Sequence, residues 1–248
     1  MGKGLEKIFL VPRFYPEEFF SRLIGLGLCT KGQQVLDLGT GTGVLPRNLY
    51  RFGADFVGAD ISENQILEAK RLSREAEMNI TYIVASAESV DFPPSTFDTV
   101  MACQCFIYFD QAVVLPKIHA LLKPNGHFCV TWLAWLPEED KIAETSEQLV
   151  LKHNPSWTGA GFQRPSSNEP ACSSPLFEVA NAVSFDIPIL FTRESWHGRM
   201  LACRGIGASS LTPAEIAAFE SEHLRFLETC PPCFEIRHYV TILDYVRK

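Results

Sequence analysis

The sequence predicts an α/β fold built on a doubly wound, mostly parallel sheet. Short apolar runs of strand type alternate along the chain with segments in which apolar residues recur at helical spacing. The first apolar run, VLDL, leads into GTGTG, and such glycine-rich turns join strands to helices where nucleotides bind. Alternation of this kind places helices on both faces of a parallel sheet. The 248 residues suffice for one such domain with a sizeable core.

Most of the predicted elements lie in the first half of the chain. Pro16 suits the first turn of a helix, where its missing N–H is not needed. Ser62 and Gln65 have the spacing of a capping box at the start of a later helix. The helices predicted in this half are PEEFFSRLIGLGL, GVLPRNLYRFG, ENQILEAKRLSREAE and, despite its internal proline, QAVVLPKIHALLK. The strands predicted between them are QQVLDLGT, DFVGAD, ITYIVAS, FDTVMACQCF and HFCVTWLAW.

The pattern changes after Pro137. Residues 138–178 include a polar, proline-bearing stretch, which predicts a long insertion or a mobile segment. Strand character resumes in VANAVSFDIPILF and in CFEIRHYVTILDYV. Between them lie RESWHGRMLACRG, which is predicted to be helical, and a helix capped by Thr212 and Glu215. We therefore predict a single domain over residues 1–248, with a core at about 31–136 and helical cap elements at about 1–30, 138–178 and 192–230.

The composition excludes several classes of protein. A formal net charge of −7 argues against binding that depends on neutralising phosphates, so we expect no nucleic-acid partner. No apolar stretch is long enough to span a bilayer and no signal-peptide pattern is seen, which predicts a cytoplasmic monomer or homodimer without a membrane partner. The eight cysteines are then expected to be reduced thiols. CPPC, at 230–233, has no matching second pair and is interpreted as a turn, so no metal is expected.

The glycine turn narrows the choice of nucleotide. Gly39, Gly41 and Gly43 follow the pattern G-x-G-x-G, whereas the dinucleotide fingerprint is G-x-G-x-x-G. Asp37, two residues before the first glycine, would repel a pyrophosphate, but it suits an α-amino group such as that of S-adenosylmethionine. Both features favour a sulfonium nucleoside used for methyl transfer over a nicotinamide dinucleotide.

Two further strand ends fit an adenosine ligand. Asp60 closes the second predicted strand, where an acid accepts hydrogen bonds from both ribose hydroxyls. Ile61 follows it and is placed to lie against the adenine face. Ser86, Ala87 and Glu88 close the third strand, beside the expected adenine pocket. A solvated loop carboxylate is the alternative interpretation of Glu88.

Together, VLDLGTGTGVL, GADIS, SAESVDFPPSTFDTVMA and LLKPNGHF resemble, in order and spacing, the seven-stranded class I S-adenosylmethionine-dependent methyltransferases. Within that family the chain is most similar to the small-molecule group that includes the ubiquinone-biosynthesis and trans-aconitate methyltransferases. The resemblance covers about Lys31 to Trp132. It implies S-adenosyl-L-methionine as cofactor, S-adenosyl-L-homocysteine as product, and a last antiparallel strand.

The resemblance also implies roles for single residues. The glycine loop would cradle the methionine moiety, Asp37 would lie near the amino group, directly or through water, and Asp60 would bind the ribose. Many relatives have an acid at the position of Ser86. The serine side chain is shorter, so its hydroxyl either contacts the adenine over a shorter reach or does not contact it. The residues implied to line the cofactor site are Asp37, Gly39, Gly41, Gly43, Asp60, Ile61, Ser86, Ala87, Glu88 and Gln104.

The methyl acceptor is expected to bind in the predicted cap. If RESWHGRMLACRG is helical, Trp196 and Arg199 share a face, and an arginine beside an aromatic ring suits a carboxylate or other anionic small molecule. The same residues fit an amphipathic surface helix with its arginines in water, and the pattern favours that arrangement. His197 is a candidate base, because histidine titrates near neutral pH. Tyr15 is a candidate wall of the pocket, and ordinary core packing is the alternative interpretation that the sequence favours.

The sequence therefore predicts an in-line displacement that carries a methyl group from S-adenosylmethionine to a small molecule. The sulfonium already activates the methyl group, so a general base is not required and no residue pattern identifies the acceptor. Two alternatives stay open at this point. They are a nicotinamide-dependent oxidoreductase on a similar sheet and a non-catalytic module that binds S-adenosylmethionine.

Overall fold

A computed structural model describes residues 15–165, 172, 174–207 and 209–248. Seven strands form one sheet in the order β3-β2-β1-β4-β5-β7-β6, and β7 runs antiparallel to the other six. The strands are β1 (Gln34–Leu38), β2 (Asp55–Asp60), β3 (Thr81–Val84), β4 (Phe97–Cys103), β5 (Leu122–Trp135), β6 (Phe177–Thr192) and β7 (Cys233–Arg247). The architecture confirms the predicted α/β fold, including its antiparallel last strand.

The helices alternate with the strands through the first half of the chain. They are α1 (Glu17–Gly25), α2 (Val44–Leu49), α3 (Glu63–Glu75), α4 (Gln111–Leu121), α5 (Lys141–His153), α6 (Arg193–Leu201) and α7 (Pro213–Glu228), with short 3-10 helices at Tyr50–Phe52 and Phe106–Tyr108. Thr212 and Glu215 form the predicted capping box at the start of α7. None of the helices in the described part of the chain combines the length and apolar character needed to cross a membrane.

The insertion predicted over residues 138–178 contains α5, which begins after Asp140, whose carboxylate accepts hydrogen bonds from the backbone N–H groups of Ile142 and Ala143. One expectation about a helix cap needs correction. Ser62 accepts from the backbone N–H of Gln65 at 3.4 Å. The reciprocal bond of a capping box, from the backbone N–H of Ser62 to the Gln65 side chain, is not seen: among the described residues the buried Oε1 of Gln65 has no hydrogen-bond partner. The capping box predicted there is therefore half formed.

The position of β1 explains where a ligand can bind. Its side chains Val35, Leu36 and Leu38 are fully buried, because the strand lies between β2 and β4, with Val35 paired to Phe56 and Thr99. Strands covered on both faces give near-continuous apolar runs, which Asp37 interrupts here. The strand order reverses at β1, and ligands of open α/β sheets bind at the carboxyl ends of the strands at such a point.

The chain divides into two compact units, which are treated separately below. Among the described residues, the first unit comprises 17–133, 172, 174–184 and 240–248. The second unit comprises 15–16, 134–165 and 185–239 without residue 208. Residues 1–14, 166–171 and 173, which the sequence assigns to the cap, lie outside the described residues, and the cap boundaries stay a prediction.

Candidate functional site

The glycine loop of the first unit joins β1 to α2 in a left-handed backbone conformation. Gly39, Gly41 and Gly43 have φ values of +66°, +56° and +74°, which side chains other than hydrogen rarely allow. A Cβ on Gly39 would lie 2.8 Å from Cys105 Sγ, and one on Gly43 would collide with the Tyr82 ring. A Cβ on Gly41 would meet nothing closer than 3.9 Å. Protein neighbours thus require the outer two glycines, whereas the middle one leaves open space.

Asp37 is a buried acid at the end of β1. It is 2% exposed, and Thr40 Oγ1 donates a hydrogen bond to its Oδ2 at 2.6 Å. Burial raises the pKa of Asp37 from 3.8 to about 7, the bond from Thr40 opposes that rise, and the nearby Asp60 charge adds to it. A cationic group beside Asp37 would reverse this shift, because it favours the carboxylate form.

Asp60 ties the glycine loop to the turn after β2. Its Oδ2 accepts from the backbone N–H of Gly41 at 2.9 Å, and its Oδ1 accepts from that of Ser62 at 2.9 Å. Each carboxylate oxygen has a second lone pair for a further donor. The neighbouring Ile61 is 74% exposed, an apolar side chain presented to solvent beside this acid.

The turn after β3 is more tightly held than its sequence indicates. The backbone N–H of Ser86 donates to Ser89 Oγ at 3.0 Å, and Ala87 is buried. Glu88 Oε1 accepts from the backbone N–H of Asp110 at 3.0 Å. Burial pushes the pKa of Glu88 up, but hydrogen bonds from its own backbone and from Asp110 outweigh burial and hold that pKa below its usual value. Glu88 therefore links the loops after β3 and β4.

Gln104 has a strained backbone directly after β4. Its φ is +61°, a rare value for a residue with a side chain. Its backbone N–H donates to the Thr131 carbonyl at 3.0 Å, and its Nε2 donates to the Leu133 carbonyl at 2.6 Å. Cys105, which follows, donates from Sγ to the Leu38 carbonyl at 3.1 Å. Sequence reasoning missed Cys105, although its position after the predicted Gln104 marks the same loop.

The second unit contains the acceptor-binding candidates, and it corrects one expectation about them. The predicted helix is α6, but it is largely buried, because Trp196, His197 and Met200 are all in the core. An amphipathic surface helix with arginines in water is therefore wrong. The Arg199 guanidinium lies over the Trp135 ring, 4.7 Å from its centroid, a cation–π arrangement.

Trp135 is itself fixed in place. Its Nε1 donates to Glu147 Oε1 at 2.5 Å, and Glu147 Oε2 accepts from the backbone N–H of Gly161 at 2.7 Å. Burial lowers the pKa of Arg199, while interactions with Cys203 and with the buried Tyr15 oppose that change. Tyr15 and Arg199, two of the predicted candidates, therefore interact within this unit.

His197, the third candidate, belongs to a buried hydrogen-bonded chain. Ser146 donates to the Ile142 carbonyl at 2.7 Å, so its oxygen accepts from Trp196 Nε1 at 2.9 Å and from His223 Nε2 at 3.0 Å. His223 Nδ1 is then the acceptor for His197 Nδ1 at 2.8 Å. Burial, with His197 beside it, lowers the pKa of His223 to about 3. Of the two rings, His197 is the one whose remaining nitrogen can take up a proton, and Glu220 lies 4.0 Å from that nitrogen.

A further histidine of this unit, His238, is absent from the sequence-based candidates. It is fully buried in β7, stacks on Phe191 and makes a T-shaped contact with Trp135. In the sequence it falls in the inward-facing series with Phe234, Ile236 and Val240, which indicates burial but not what the ring contacts. Only the tertiary packing places it beside the same indole as Arg199.

All eight cysteines lie in the described part of the chain. The eight cysteines are free thiols. Cys230 is buried and Cys233 is exposed at the start of β7, and Arg193 Nε donates to the Cys230 carbonyl at 3.0 Å. Among the described residues, no three His, Cys, Asp or Glu side chains group as metal ligands would.

Comparison with known proteins points to one family. Residues 35–126 match the family model described as "Methyltransferase domain". A ubiquinone biosynthesis O-methyltransferase from Bradyrhizobium diazoefficiens is 34% identical over 131 residues, which cover 52% of this chain and 51% of that protein. The chain thus spans about half the length of the curated relatives it matches.

Solved structures agree on the fold. A protein from Anaeromyxobacter dehalogenans assigned to the type II methyltransferases superposes with a TM-score of 0.63 at 22% identity, covering 94% of this chain and 96% of that one. Geranyl diphosphate C-methyltransferase from Streptomyces coelicolor, crystallised with S-adenosyl-L-homocysteine, gives a TM-score of 0.50 at 16% identity, covering 93% and 79%. At these identities the likeness concerns the fold alone.

Proposed function

Because residues 35–126 match a methyltransferase domain, we propose that this chain is a class I, S-adenosylmethionine-dependent methyltransferase that transfers a methyl group to a small-molecule acceptor. One observation carries the proposal more than any other. The Asp60 carboxylate accepts hydrogen bonds from the backbone of Gly41 and of Ser62, at the carboxyl end of the strand beside β1. This is where a nucleoside ribose would find an acceptor already oriented.

The described residues fit the cofactor in three respects. The space beside Gly41 lets a ligand approach the backbone closely. Asp37 is a buried acid that an ammonium group would stabilise in its charged form. Gln65 Oε1, the atom nearest to a Cβ on Gly41, is a buried acceptor with no hydrogen-bond partner among the described residues. These residues, with Ile61 and the turn at 86–88, would hold the methionine, ribose and adenine parts.

The bound cofactor supplies a methyl group that its sulfonium has already activated. The contribution of the protein is then alignment and exclusion of water. Asp60 fixes the glycine loop against the turn after β2, and Gln104 is held by two carbonyls of β5, so both loops are rigid before a ligand binds. In-line displacement needs such preorganisation more than it needs a base.

For the acceptor we infer a carboxylate or another anionic small molecule. The support is Arg199, whose guanidinium is stacked on an indole that Glu147 holds in place. A guanidinium has five N–H donors in a planar fork, which matches the geometry of a carboxylate. Tyr15, buried and interacting electrostatically with Arg199, would complete this wall.

Replacement of Asp60 by alanine tests the cofactor assignment. S-adenosyl-L-homocysteine at 100 times its Kd should raise the Tm of the unmutated protein by about 5–10 °C, since a ligand selective for the folded state stabilises it by ~2.7 kcal/mol. Asp60→Ala removes the oriented acceptor and loosens the loop, so the shift should fall below about 2 °C. Calorimetric melting with and without the ligand measures both values.

Asp55→Ala is the matched control, because Asp55 is an exposed acid at the other end of the same strand; it should keep the full shift. The cofactor assignment fails if S-adenosyl-L-homocysteine leaves the Tm of the unmutated protein unchanged. A shift with NADH instead would favour an oxidoreductase. Binding of S-adenosylmethionine without methyl transfer to any member of a panel of organic acids would favour a non-catalytic module.

A further inference from the structure

The His238 imidazole has a defined tautomer. Its Nδ1 lies 2.9 Å from the carbonyl oxygen of Ile236. Since a carbonyl only accepts, Nδ1 carries the hydrogen, and Nε2 of the neutral ring presents a lone pair. The ring stacks on Phe191 with centroids 5.9 Å apart and forms a T-shaped pair with Trp135, whose ring centroid is 6.5 Å away. The lone pair therefore belongs to a ring held between two aromatic side chains.

The Nε2 lone pair of His238 is buried without a hydrogen-bond partner among the described residues. Native proteins rarely leave a buried acceptor without a donor, so such an atom calls for a partner such as a water molecule, an ion or a ligand. Burial lowers the pKa of His238 to about 4; the bond to Ile236 opposes this change and the charge of Arg199 adds to it. At neutral pH the ring is thus an acceptor of hydrogen bonds and not a carrier of charge.

His238 and Arg199 lie against the same indole. The Arg199 guanidinium is over the Trp135 ring, and His238 makes a T-shaped contact with the same ring. A molecule complementary to this wall needs an anionic group for the guanidinium, an apolar or aromatic body for the rings, and a hydrogen-bond donor for Nε2. A simple carboxylate supplies the first two features but leaves the lone pair unsatisfied.

We propose that His238 selects methyl acceptors that carry a hydroxyl or N–H group in addition to the anionic group bound by Arg199. The class of ligand is therefore a hydroxylated or amide-bearing organic acid. The identification of this ligand as a methyl acceptor rests on the proposed function, whereas its binding can be measured independently. His238 determines specificity in this arrangement; burial and the nearby Arg199 charge disfavour protonation of Nε2, so the ring accepts a hydrogen bond and does not act as the base.

Two pairs of acids that differ by one hydroxyl group test the proposal. The pairs are 4-hydroxyphenylacetate with phenylacetate, and malate with succinate. Each is titrated by calorimetry into the full chain in the presence of S-adenosyl-L-homocysteine. In at least one pair the hydroxylated acid should bind about tenfold more tightly, because only it supplies a donor to the buried acceptor.

Variants then assign the preference to one atom. His238→Phe keeps an aromatic ring in the stack but removes the lone pair, so the ratio of the two Kd values within the pair should fall to about one. Arg199→Met should weaken the binding of both acids of the pair and leave the ratio of their Kd values unchanged. His153→Phe is the control, since His153 is a histidine of α5 paired with Glu222, and it should change neither affinity nor ratio.

A measurement on the unmutated protein covers the case in which His238→Phe does not fold. With 15N-labelled histidine, the Nε2 resonance of His238 should move toward that of a hydrogen-bonded nitrogen when the hydroxylated acid is added, and should stay in place with its partner. Equal binding within both pairs, an unmoved resonance, or a preference that survives in His238→Phe would overturn the proposal. If S-adenosyl-L-homocysteine did not bind but the preference for the hydroxylated acid were still observed, only the proposed function would be contradicted.

Discussion

Gly43→Ala is expected to lower the free energy of unfolding by about 2–5 kcal/mol, through two costs that add. The residue has a φ of +74°, which penalises any Cβ. That Cβ would also collide with the Tyr82 ring, whose Cζ and Cε1 would be 2.7 and 2.8 Å away. Tyr82 cannot easily give way, because it is 4% exposed and its hydroxyl is hydrogen-bonded to Ser73 at 3.0 Å.

Gly27→Ala separates the two costs. Gly27 has a φ of +78°, and a Cβ there would have no heavy atom within 4 Å, so only the backbone penalty of about 1–2 kcal/mol applies. Gly41→Ala should resemble Gly27→Ala, since its nearest atom is 3.9 Å away. Urea unfolding with a common slope measures all three variants. If Gly43→Ala proves no more destabilising than Gly27→Ala, the packing of Tyr82 against the loop is not as described.

Asp37→Asn is expected to stabilise the cofactor-free protein at pH 8. It should also make the free energy of unfolding vary less with pH. The folded-state pKa of Asp37, about 7, lies above the ordinary value of 3.8. The folded protein therefore keeps a proton that the unfolded chain gives up between these pH values. This contribution is fully present below about pH 3.8 and is lost as the pH rises through about 7, at most ~4 kcal/mol in all. Asparagine stays neutral at every pH, so the Asp37→Asn protein does not lose this contribution to stability.

The measurement is the difference in free energy of unfolding between Asp37→Asn and the unmutated protein at each pH from 4 to 8. A difference is needed because His223 and His238, whose pKa values are lowered to about 3 and 4, make both proteins less stable as the pH falls below 6.5. Thr40→Val is the companion variant. It removes the bond that lowers the pKa of Asp37, so the midpoint should move to higher pH. A difference that does not vary with pH would contradict the assignment.

The first half of the fold and the cofactor loop are predictable from the sequence because their determinants are local. Short apolar runs, helical spacing and capping residues each act within a few positions, and the positive φ values of Gly39 and Gly43 favour glycine in the loop. The strand ends carry the acids that a nucleoside needs. Parallel strands bring those ends to one edge, so residues far apart in sequence become neighbours by topology alone.

The surroundings of Arg199 and His238 are harder to predict from the sequence, because they depend on tertiary packing. The arginines of α6 give the pattern of a solvated helix, and nothing local indicates that Trp135 lies beneath Arg199. His238 takes an inward-facing position of the strand alternation, which indicates that the ring is buried but not what it contacts. The helix α5 was hidden by the polar composition of residues 138–178, although Asp140 is a capping residue of the usual kind. Tertiary contacts, and not pattern, distinguish these residues.

The proton held by Asp37 near pH 7 has a consequence for ligand uptake. Asp37 releases this proton when an ammonium group binds beside it, so one positive charge replaces another and the local charge stays constant. Binding of the ammonium group should then release a proton to the buffer, so the measured heat of binding should vary with the ionisation enthalpy of the buffer. Affinity should climb with pH up to about 7 and level off above it, while a buried exchange of like charges is little affected by salt.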